Sequence, residues 1–317
     1  MAIRTEEMRY DSRDRQTKLY AKKWIPEGQP KAILQIIHGM SEAIDRYDEY
    51  ATWMAERGIM VIGNDHLGHG KSKTENGTWG YFCKRDPATV VVRDVHRLKK
   101  IVQEENPGIP IFIMGHSMGA IIAREYISRY GTGISGAILQ ATGMQDMKAV
   151  KMAKVMATII GFFRGDTYQS KFINGLAFGH YNDRIEKPCA PSAWLSHNEE
   201  NIRKYENDPA YGFTFTINGF LTLGELIRRT QDEDDMYNIP KRLPIYMACG
   251  TEDPTGGYGK GIKELYDIYH DVCHIEDVTL KLYEGMRHEI HNETDRLKVY
   301  EDEYAFIMRI LGGDAPR

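Results

Sequence analysis

A serine flanked by glycines at residues 115–119 constrains the fold of this chain more than any other feature. The sequence there is Gly-His-Ser-Met-Gly, with Ser117 at its centre, between an apolar run at 109–114 and a helix-like run at 121–127. A serine placed this way between a strand and a helix is typical of a nucleophile elbow. Glycines two residues before and after the serine let strand and helix approach closely. We therefore predict that Ser117 is a nucleophile, strained in its backbone, at the start of a helix.

Apolar strand candidates alternate with helix candidates along most of the chain. The sequence predicts strands at 32–37, 59–62, 109–114, 134–140, 243–248 and 278–283, and helices at 45–57, 86–105, after the elbow, and at 293–311. Apolar strands that alternate with helices indicate an α/β fold, with a mostly parallel central sheet and helices on both faces. The first strands, around residues 8–10 and 18–20, have a more alternating pattern, which predicts an antiparallel edge.

The stretch 144–242 breaks this alternation and is predicted to be an inserted helical cap (lid). The core would then consist of residues 1–143 and 243–317. Within the insertion, the run 150–163 is unusually apolar and rich in methionine and phenylalanine. Two interpretations stay open for this run: a helix packed on the body, or a lid wall or face that touches a lipid surface.

Composition excludes several functional classes. The chain has 317 residues, of which 42% are hydrophobic and 27% charged, as in a globular protein, and its net charge of -4 argues against nucleic acid as a partner. No apolar run approaches the ~20 residues that cross a bilayer, and the charged first 20 residues lack a secretory signal core. The four cysteines are scattered without metal-site spacing, so we expect reduced thiols, a cytoplasmic location, and neither metal nor cofactor.

A serine nucleophile needs a general base and a group that orients the base. The expected chain order is nucleophile, acid, histidine. Asp253, just past the strand at 243–248, is the preferred acid over its neighbour Glu252. His288, in the loop after the last strand, is the preferred base over His291. The spacing of these two histidines does not match the zinc motif H-E-x-x-H.

An acyl-transfer site also needs two backbone N–H donors that bind the oxyanion. We predict that one donor is the N–H of Met118, the residue after the nucleophile. The other is predicted to be the N–H of Met40, in the loop after the strand at 32–37. His38 could brace this loop or could be an ordinary buried histidine. The glycine-rich segment 65–72 lacks phosphate-loop spacing and is interpreted as a structural turn.

These motifs together resemble the monoacylglycerol lipase and lysophospholipase group of the α/β-hydrolase superfamily, which also contains serine-aminopeptidase-like sequences. The resemblance runs from about residue 10 to 312. Its motifs are His38-Gly39-Met40 with Glu42, Arg46 and Tyr47, the segment 65–72, the elbow 115–119, Asp253-Pro254 with the glycine-rich 256–261, His288-Glu289-Ile290 with Asn292 and Glu293, and the cap segment 194–213. Two positions depart from the pattern: Ala43, where histidine or an aromatic residue is frequent, and Ala120, where glycine often follows.

The resemblance implies a serine hydrolase that cleaves carboxylic esters of acylglycerol or lysophospholipid type through an acyl-enzyme on Ser117. The implied partner is a lipid or small-molecule ester, with possible transient membrane-surface contact through the cap. Two alternatives stay open. A peptidase or amidase with the same catalytic groups would be favoured by an acidic patch in the cap that binds an amino terminus. A non-catalytic binding protein on the same fold is disfavoured because all three candidate catalytic residues are present.

Overall fold

One sheet of eight strands organises this protein, whose computed structural model describes residues 3–74 and 77–312. The strands are β1 (Arg4–Asp11), β2 (Lys18–Ile25), β3 (Ala32–Ile37), β4 (Ile59–Asn64), β5 (Ile111–His116), β6 (Gly136–Gln140), β7 (Ile245–Gly250) and β8 (Val278–Tyr283). Their order across the sheet is β1-β2-β4-β3-β5-β6-β7-β8. Strands β3 to β8 run parallel, whereas β2 is antiparallel to both of its neighbours. The predicted mostly parallel sheet with an antiparallel edge is confirmed.

Helices cover both faces of the sheet and also fill the insertion between β6 and β7. They are α1 (Asp48–Ala55), α2 (Pro87–Glu105), α3 (Met118–Tyr130), α4 (Met147–Arg164), α5 (Lys171–Phe178), α6 (Glu199–Asn207), α7 (Ile217–Thr230), α8 (Glu233–Tyr237), α9 (Lys260–Asp267) and α10 (Leu297–Leu311). Side chains of α1 and α10 pack on one face of the sheet, and those of α2, α3 and α9 on the other. Strands β3 to β7 are buried along their whole length, which explains their continuous apolar sequences.

Some predicted boundaries shift because of specific contacts. The helix predicted over 45–57 begins with a 3-10 turn at Ile44–Tyr47 and continues as α1. Strand β5 extends beyond residue 114 because Gly115 pairs with both β3 and β6. The last helix begins at Leu297 rather than 293, since the Glu293 carboxylate accepts hydrogen bonds from the backbone N–H groups of Arg287 and His197.

The elbow at Ser117 joins β5 to α3 by close backbone contact. Ser117 has φ 55° and ψ −120°, a conformation that L-residues rarely adopt. A Cβ atom at Gly119 would overlap the carbonyl oxygen of Ile37 in β3, and one at Gly115 would overlap that of Gly119. Only glycine at 115 and 119 therefore lets α3 start directly against the sheet.

Helix α4 exposes about half of its apolar side chains. It lies beside α7, where Lys154 pairs with Glu225 at 2.8 Å, and Ala157 is its buried residue. Five of its large apolar side chains are more than half exposed: Met152, Val155, Ile159, Phe162 and Phe163. The helix therefore packs on the body through one side, with Met156 and Ile160 against the core, while these five side chains stay exposed. No helix among the described residues is long and apolar enough to cross a membrane.

Candidate functional site

A cavity of about 510 Å³ opens where the parallel strands end, between the core and the inserted helices. The predicted residues Met40, Ser117, Met118 and His288 all line it. They follow the ends of β3, β5 and β8, whose carboxyl ends meet at this edge of the sheet. The fold thus brings residues that are far apart in sequence to one site.

The Asp253 carboxylate and the His288 imidazole form a hydrogen-bonded pair beside the cavity. His288 Nδ1 lies 3.0 Å from Asp253 Oδ2, and both side chains are about 2% exposed. The other oxygen of Asp253 accepts hydrogen bonds from the N–H of Thr255, at 2.9 Å, and from its hydroxyl, at 2.8 Å. These contacts fix the carboxylate, which in turn fixes the imidazole orientation.

Burial and the charge of the partner shift the pKa values of Asp253 and His288 in opposite directions. Burial alone would raise the pKa of Asp253, but the nearby His288 and the Thr255 hydrogen bonds outweigh it and lower that pKa. Burial alone would lower the pKa of His288, but the Asp253 carboxylate outweighs it and raises that pKa above 6.5. The pair is therefore built to hold a carboxylate beside an imidazole that accepts a proton readily.

Met118 follows Ser117 in the chain, and Met40 lines the same cavity as both residues. Met118 is the first residue of α3, so its N–H has no acceptor within the helix. Met40 follows Gly39, whose N–H donates to Glu42 Oε1. His38 is fully buried, and its Nε2 accepts the N–H of His66 at 3.0 Å, so it ties the Met40 loop to the segment after β4.

The two rival residues lie elsewhere. Glu252 is exposed and pairs with His197 at 2.8 Å rather than with His288. His291 is fully buried, and its Nδ1 lies 2.9 Å from Gln140 Oε1. The side chain of neither rival is hydrogen-bonded to the Asp253 carboxylate or to the His288 ring.

A buried ionic cluster links the Met40 loop, the His288 loop and α6. Arg46 donates to both carboxylate oxygens of Glu289, at 2.7 and 2.6 Å, and to Glu42 at 3.3 Å. The same guanidinium donates to Asn201 of α6 at 2.9 Å and lies over the ring of Tyr205. Arg46, Glu42 and Glu289 were part of the sequence resemblance without a role, whereas Thr255 had no sequence signal beyond its nearness to Asp253.

The inserted helices form the cavity's other wall. In the described part of the chain, this wall comes from α5, α7 and the segments around α6, not from the run 150–163, so that run is not the channel wall that one interpretation proposed. Apolar lining residues there include Phe178, Leu223 and Ile227. Among the described residues that line the cavity there is no lysine or arginine, whereas Glu42, Glu206 and Glu289 are present.

Within residues 3–74 and 77–312, no group of three or more histidine, cysteine or acidic side chains is placed to hold a metal ion.

Comparison with known proteins identifies relatives over nearly the whole chain. The sequence profile of the family described as "Serine aminopeptidase, S33" (Hydrolase_4) matches residues 28–295. A monoglyceride lipase homolog of Monkeypox virus is 29% identical over 285 residues, 88% of this chain and 90% of that protein. A monoglyceride lipase of Mus musculus is 28% identical over 87% of this chain and 81% of its own length. The crystal structure of a thermostable carboxyl esterase from Bacillus coagulans in complex with glycerol superposes with a TM-score of 0.90 and 31% identity, covering 98% of this chain and all of that one.

Because burial and the Asp253 carboxylate shift the pKa of His288 in opposite directions, removing the carboxylate should change that pKa. In the unmodified protein, the imidazole should titrate above 6.5, because the Asp253 carboxylate outweighs burial. In Asp253→Asn the burial persists and the anion is lost, so the pKa of His288 should fall below 6.5. NMR titration of the histidine ring resonances measures both values. Glu252→Gln is the matched control and should leave the pKa of His288 unchanged. A shift in Glu252→Gln but not in Asp253→Asn would contradict the pairing.

Proposed function

Because the chain belongs to the serine aminopeptidase S33 family of α/β hydrolases, we propose that it is a serine hydrolase of carboxylic esters. The proposed substrates are monoacylglycerols or lysophospholipids, and the proposed catalytic triad is Ser117, His288 and Asp253. One observation carries the proposal: the buried Asp253–His288 pair faces the same cavity as the elbow serine. The names of the monoglyceride lipase and carboxyl esterase relatives support ester substrates.

The proposed reaction follows from these positions. His288 Nε2 takes the proton of Ser117 Oγ as that oxygen attacks the ester carbonyl carbon. Asp253 holds Nδ1–H and stabilises the imidazolium that forms. The N–H groups of Met40 and Met118 bind the oxyanion. The C–O bond to the alcohol then breaks, and His288 gives its proton to the leaving oxygen. Water, activated by His288, hydrolyses the acyl-enzyme and restores Ser117.

We propose that residues 144–242 act as the cap over this reaction. Helices α5 and α7 supply apolar side chains to the cavity, among them Phe178, Leu223 and Ile227. Each buried methylene of an acyl chain contributes about 0.8 kcal/mol. An acyl chain lying along this wall would therefore gain binding energy with length until the wall is covered.

The charges at the cavity favour a neutral leaving group. Arg46 pairs with both Glu42 and Glu289, whose two carboxylates exceed its single positive charge, and Glu206, which receives hydrogen bonds from Ser192, lies exposed in the lining. A lysophospholipid phosphate would approach this carboxylate without a lining cation to offset it. We therefore favour monoacylglycerol over lysophospholipid as the substrate. Glu206 is a single carboxylate rather than an acidic patch, so it gives an amide substrate with an amino terminus little support.

We further propose that α4 and α5 contact a lipid surface that contains anionic headgroups. Phe162, Phe163 and Phe172 are 84%, 75% and 59% exposed. Helix α4 carries lysine and arginine but no acidic residue, and its Lys148, Lys151 and Arg164 are exposed. An apolar face bordered by cations is the pattern of a helix that lies in an anionic membrane interface. This contact would bring the cap, and the cavity beneath it, to lipid esters.

We also propose that the protein works in the cytoplasm. All four cysteines are unpaired, and three of them, Cys83, Cys249 and Cys273, are buried. Unpaired thiols are typical of a reducing compartment.

The assignment of the nucleophile predicts a single labelled residue. A fluorophosphonate probe should modify Ser117, as read by mass spectrometry of the labelled peptide. Ser117→Ala should lose labelling and lower kcat by roughly 10⁴-fold or more, since only binding and the oxyanion donors remain. Ser128→Ala, on the same helix, is the control and should behave like the unmodified protein. Labelling elsewhere with Ser117 untouched, or full activity of Ser117→Ala, would contradict the assignment. Absence of both labelling and turnover in the unmodified protein would favour the binding-protein alternative.

The choice of leaving group predicts an order of substrates. A monoacylglycerol, a lysophospholipid and a fatty amide with the same acyl chain should be compared by kcat/KM. Because a like-charge contact costs several kcal/mol, the lysophospholipid should be at least about tenfold slower than the monoacylglycerol. Glu206→Gln should narrow this difference. A preference for the lysophospholipid would contradict the neutral leaving group, and a preference for the amide would favour the peptidase or amidase alternative.

The cationic and apolar face predicts selective vesicle binding. The protein should sediment with phosphatidylcholine vesicles that contain phosphatidylglycerol. Salt should weaken this binding because it screens the attraction between the lysines, worth about 1 kcal/mol each, and the anionic headgroups. The double variant Phe162→Ser, Phe163→Ser should lose binding while keeping turnover of a soluble acetate ester. Leu297→Ser, at a residue 53% exposed on the core, is the control. Equal binding to pure phosphatidylcholine, or unchanged binding of the double variant, would contradict the proposal.

A further inference from the structure

We infer that Trp194 is a positioning residue for His288, and that the segment Ala193–Asn198 clamps the loop that carries this histidine. The inference rests on the proposed function, because it takes His288 as the general base. We refer to residues 193–198 as the clamp segment. It belongs by sequence to the insertion, and the residues that it contacts lie 91 to 96 positions later in the chain.

The clamp segment binds the chain on both sides of His288. Before the histidine, the Arg287 guanidinium donates to the carbonyl oxygens of Ala193 and Ser196, at 2.8 and 3.2 Å. After it, the N–H of Glu289 donates to the carbonyl oxygen of Leu195 at 2.7 Å. The backbone of His288 is thus held between two anchored neighbours.

Further hydrogen bonds close the clamp. The N–H of His197 donates to both carboxylate oxygens of Glu293 at 3.0 Å, and one of those oxygens also accepts the N–H of Arg287 at 2.9 Å. The Asn198 amide donates to the carbonyl oxygen of Asn292 at 3.1 Å. Glu293 is only 1% exposed, so these bonds form out of water, where their loss is costly.

Trp194 holds the imidazole itself. Its ring centre lies 4.9 Å from that of His288, at an angle of 46°. The ring of His116 packs on His288 at 4.8 Å, and Tyr181 packs edge-on against Trp194 at 4.9 Å. The imidazole is therefore confined between aromatic rings as well as bonded to Asp253.

This confinement matters because His288 lies on irregular backbone. Residues 284–289 form neither helix nor strand, so no hydrogen-bond ladder fixes this loop. A general base must keep Nδ1 on the carboxylate and Nε2 toward the nucleophile in both of its charge states. The clamp segment supplies this rigidity, and the indole ring also excludes water from the imidazole and can stabilise the imidazolium.

Trp194 also lines the cavity. It could therefore contact the acyl chain as part of the cavity wall, and the test must distinguish this role from the positioning of His288. A wall residue acts on substrate binding and on chain-length preference. A positioning residue acts on kcat, equally for short and long esters, and on the hydrogen bond between His288 and Asp253. These are different measurements on the same variant.

The test compares Trp194→Leu with the unmodified protein on an acetate ester and on a long-chain ester. We expect kcat to fall roughly 10²-fold on both, with KM nearly unchanged, because a small displacement of a catalytic group has an effect of this order. The low-field proton resonance of His288 Nδ1–H should broaden or disappear. Trp194→Phe, which keeps a ring, should recover most of kcat and the resonance, and it decides the question if the leucine variant fails to fold.

Two further variants complete the test. Trp53→Leu is the matched control, since Trp53 is also half-buried and packs against tyrosine rings, but on α1; it should leave kcat unchanged. Arg287→Met should lower kcat in the same way as Trp194→Leu, and the two losses should be non-additive because both loosen one loop.

Two outcomes would overturn the inference: unchanged kcat on the acetate ester in Trp194→Leu, or a loss confined to KM for long esters, which would make Trp194 a wall residue. Either result leaves the proposed function intact, provided that the unmodified protein is labelled at Ser117 and hydrolyses the esters. Absence of labelling and turnover in the unmodified protein would instead count against the proposed function.

Discussion

The contact between the start of α3 and the end of β3 is the constraint on which the site depends. The backbone at Gly119 touches the Ile37 carbonyl so closely that no side chain fits between them. This contact forces Ser117 into its strained conformation and directs it to the carboxyl edge of the sheet. It also fixes the distance from Ser117 to the Met40 loop, because that loop begins directly after β3. A single close approach thus sets the relation between the nucleophile and one predicted oxyanion donor.

The remaining parts of the site are positioned by buried polar contacts rather than by the sheet. Arg46 joins the Met40 loop to Glu289, beside His288, and to Asn201 of the insertion. Removing one partner from such a cluster would leave an uncompensated buried charge, which is strongly destabilising. The clamp segment binds the same histidine loop from a second side. In the proposed enzyme, the insertion therefore shapes the catalytic groups as well as the substrate cavity.

The sequence predicted those features that depend on local patterns. Strand and helix alternation, the antiparallel edge and the elbow are all encoded within short windows, and the structure contains each of them. The structure also brings Ser117, Met40, Met118, Asp253 and His288 together as expected, although their catalytic roles stay predictions. The pairing of Asp253 with His288 could be predicted because both residues follow strands that end at the same edge of the sheet.

Other features could not be predicted because they depend on distant contacts. The partners Arg46 and Glu289 are 243 positions apart, and no spacing rule connects them. The apolar composition of the run 150–163 was visible, but the direction of its side chains was not. Part of the helix packs on the body, its other apolar side chains are exposed, and the run does not line the cavity. The helix at 293–311 was predicted four residues too long at its start, since the role of Glu293 in the clamp has no local signal.

The most direct test of the account is a crystal structure of the protein with a long-chain alkyl phosphonate bound covalently to Ser117. The account predicts that the phosphonyl oxygen lies about 3 Å from the backbone nitrogens of both Met40 and Met118. It also predicts that His288 stays bonded to Asp253 and that the alkyl chain lies against α5 and α7. A phosphonyl oxygen turned away from both nitrogens, with His288 detached from Asp253, would contradict it.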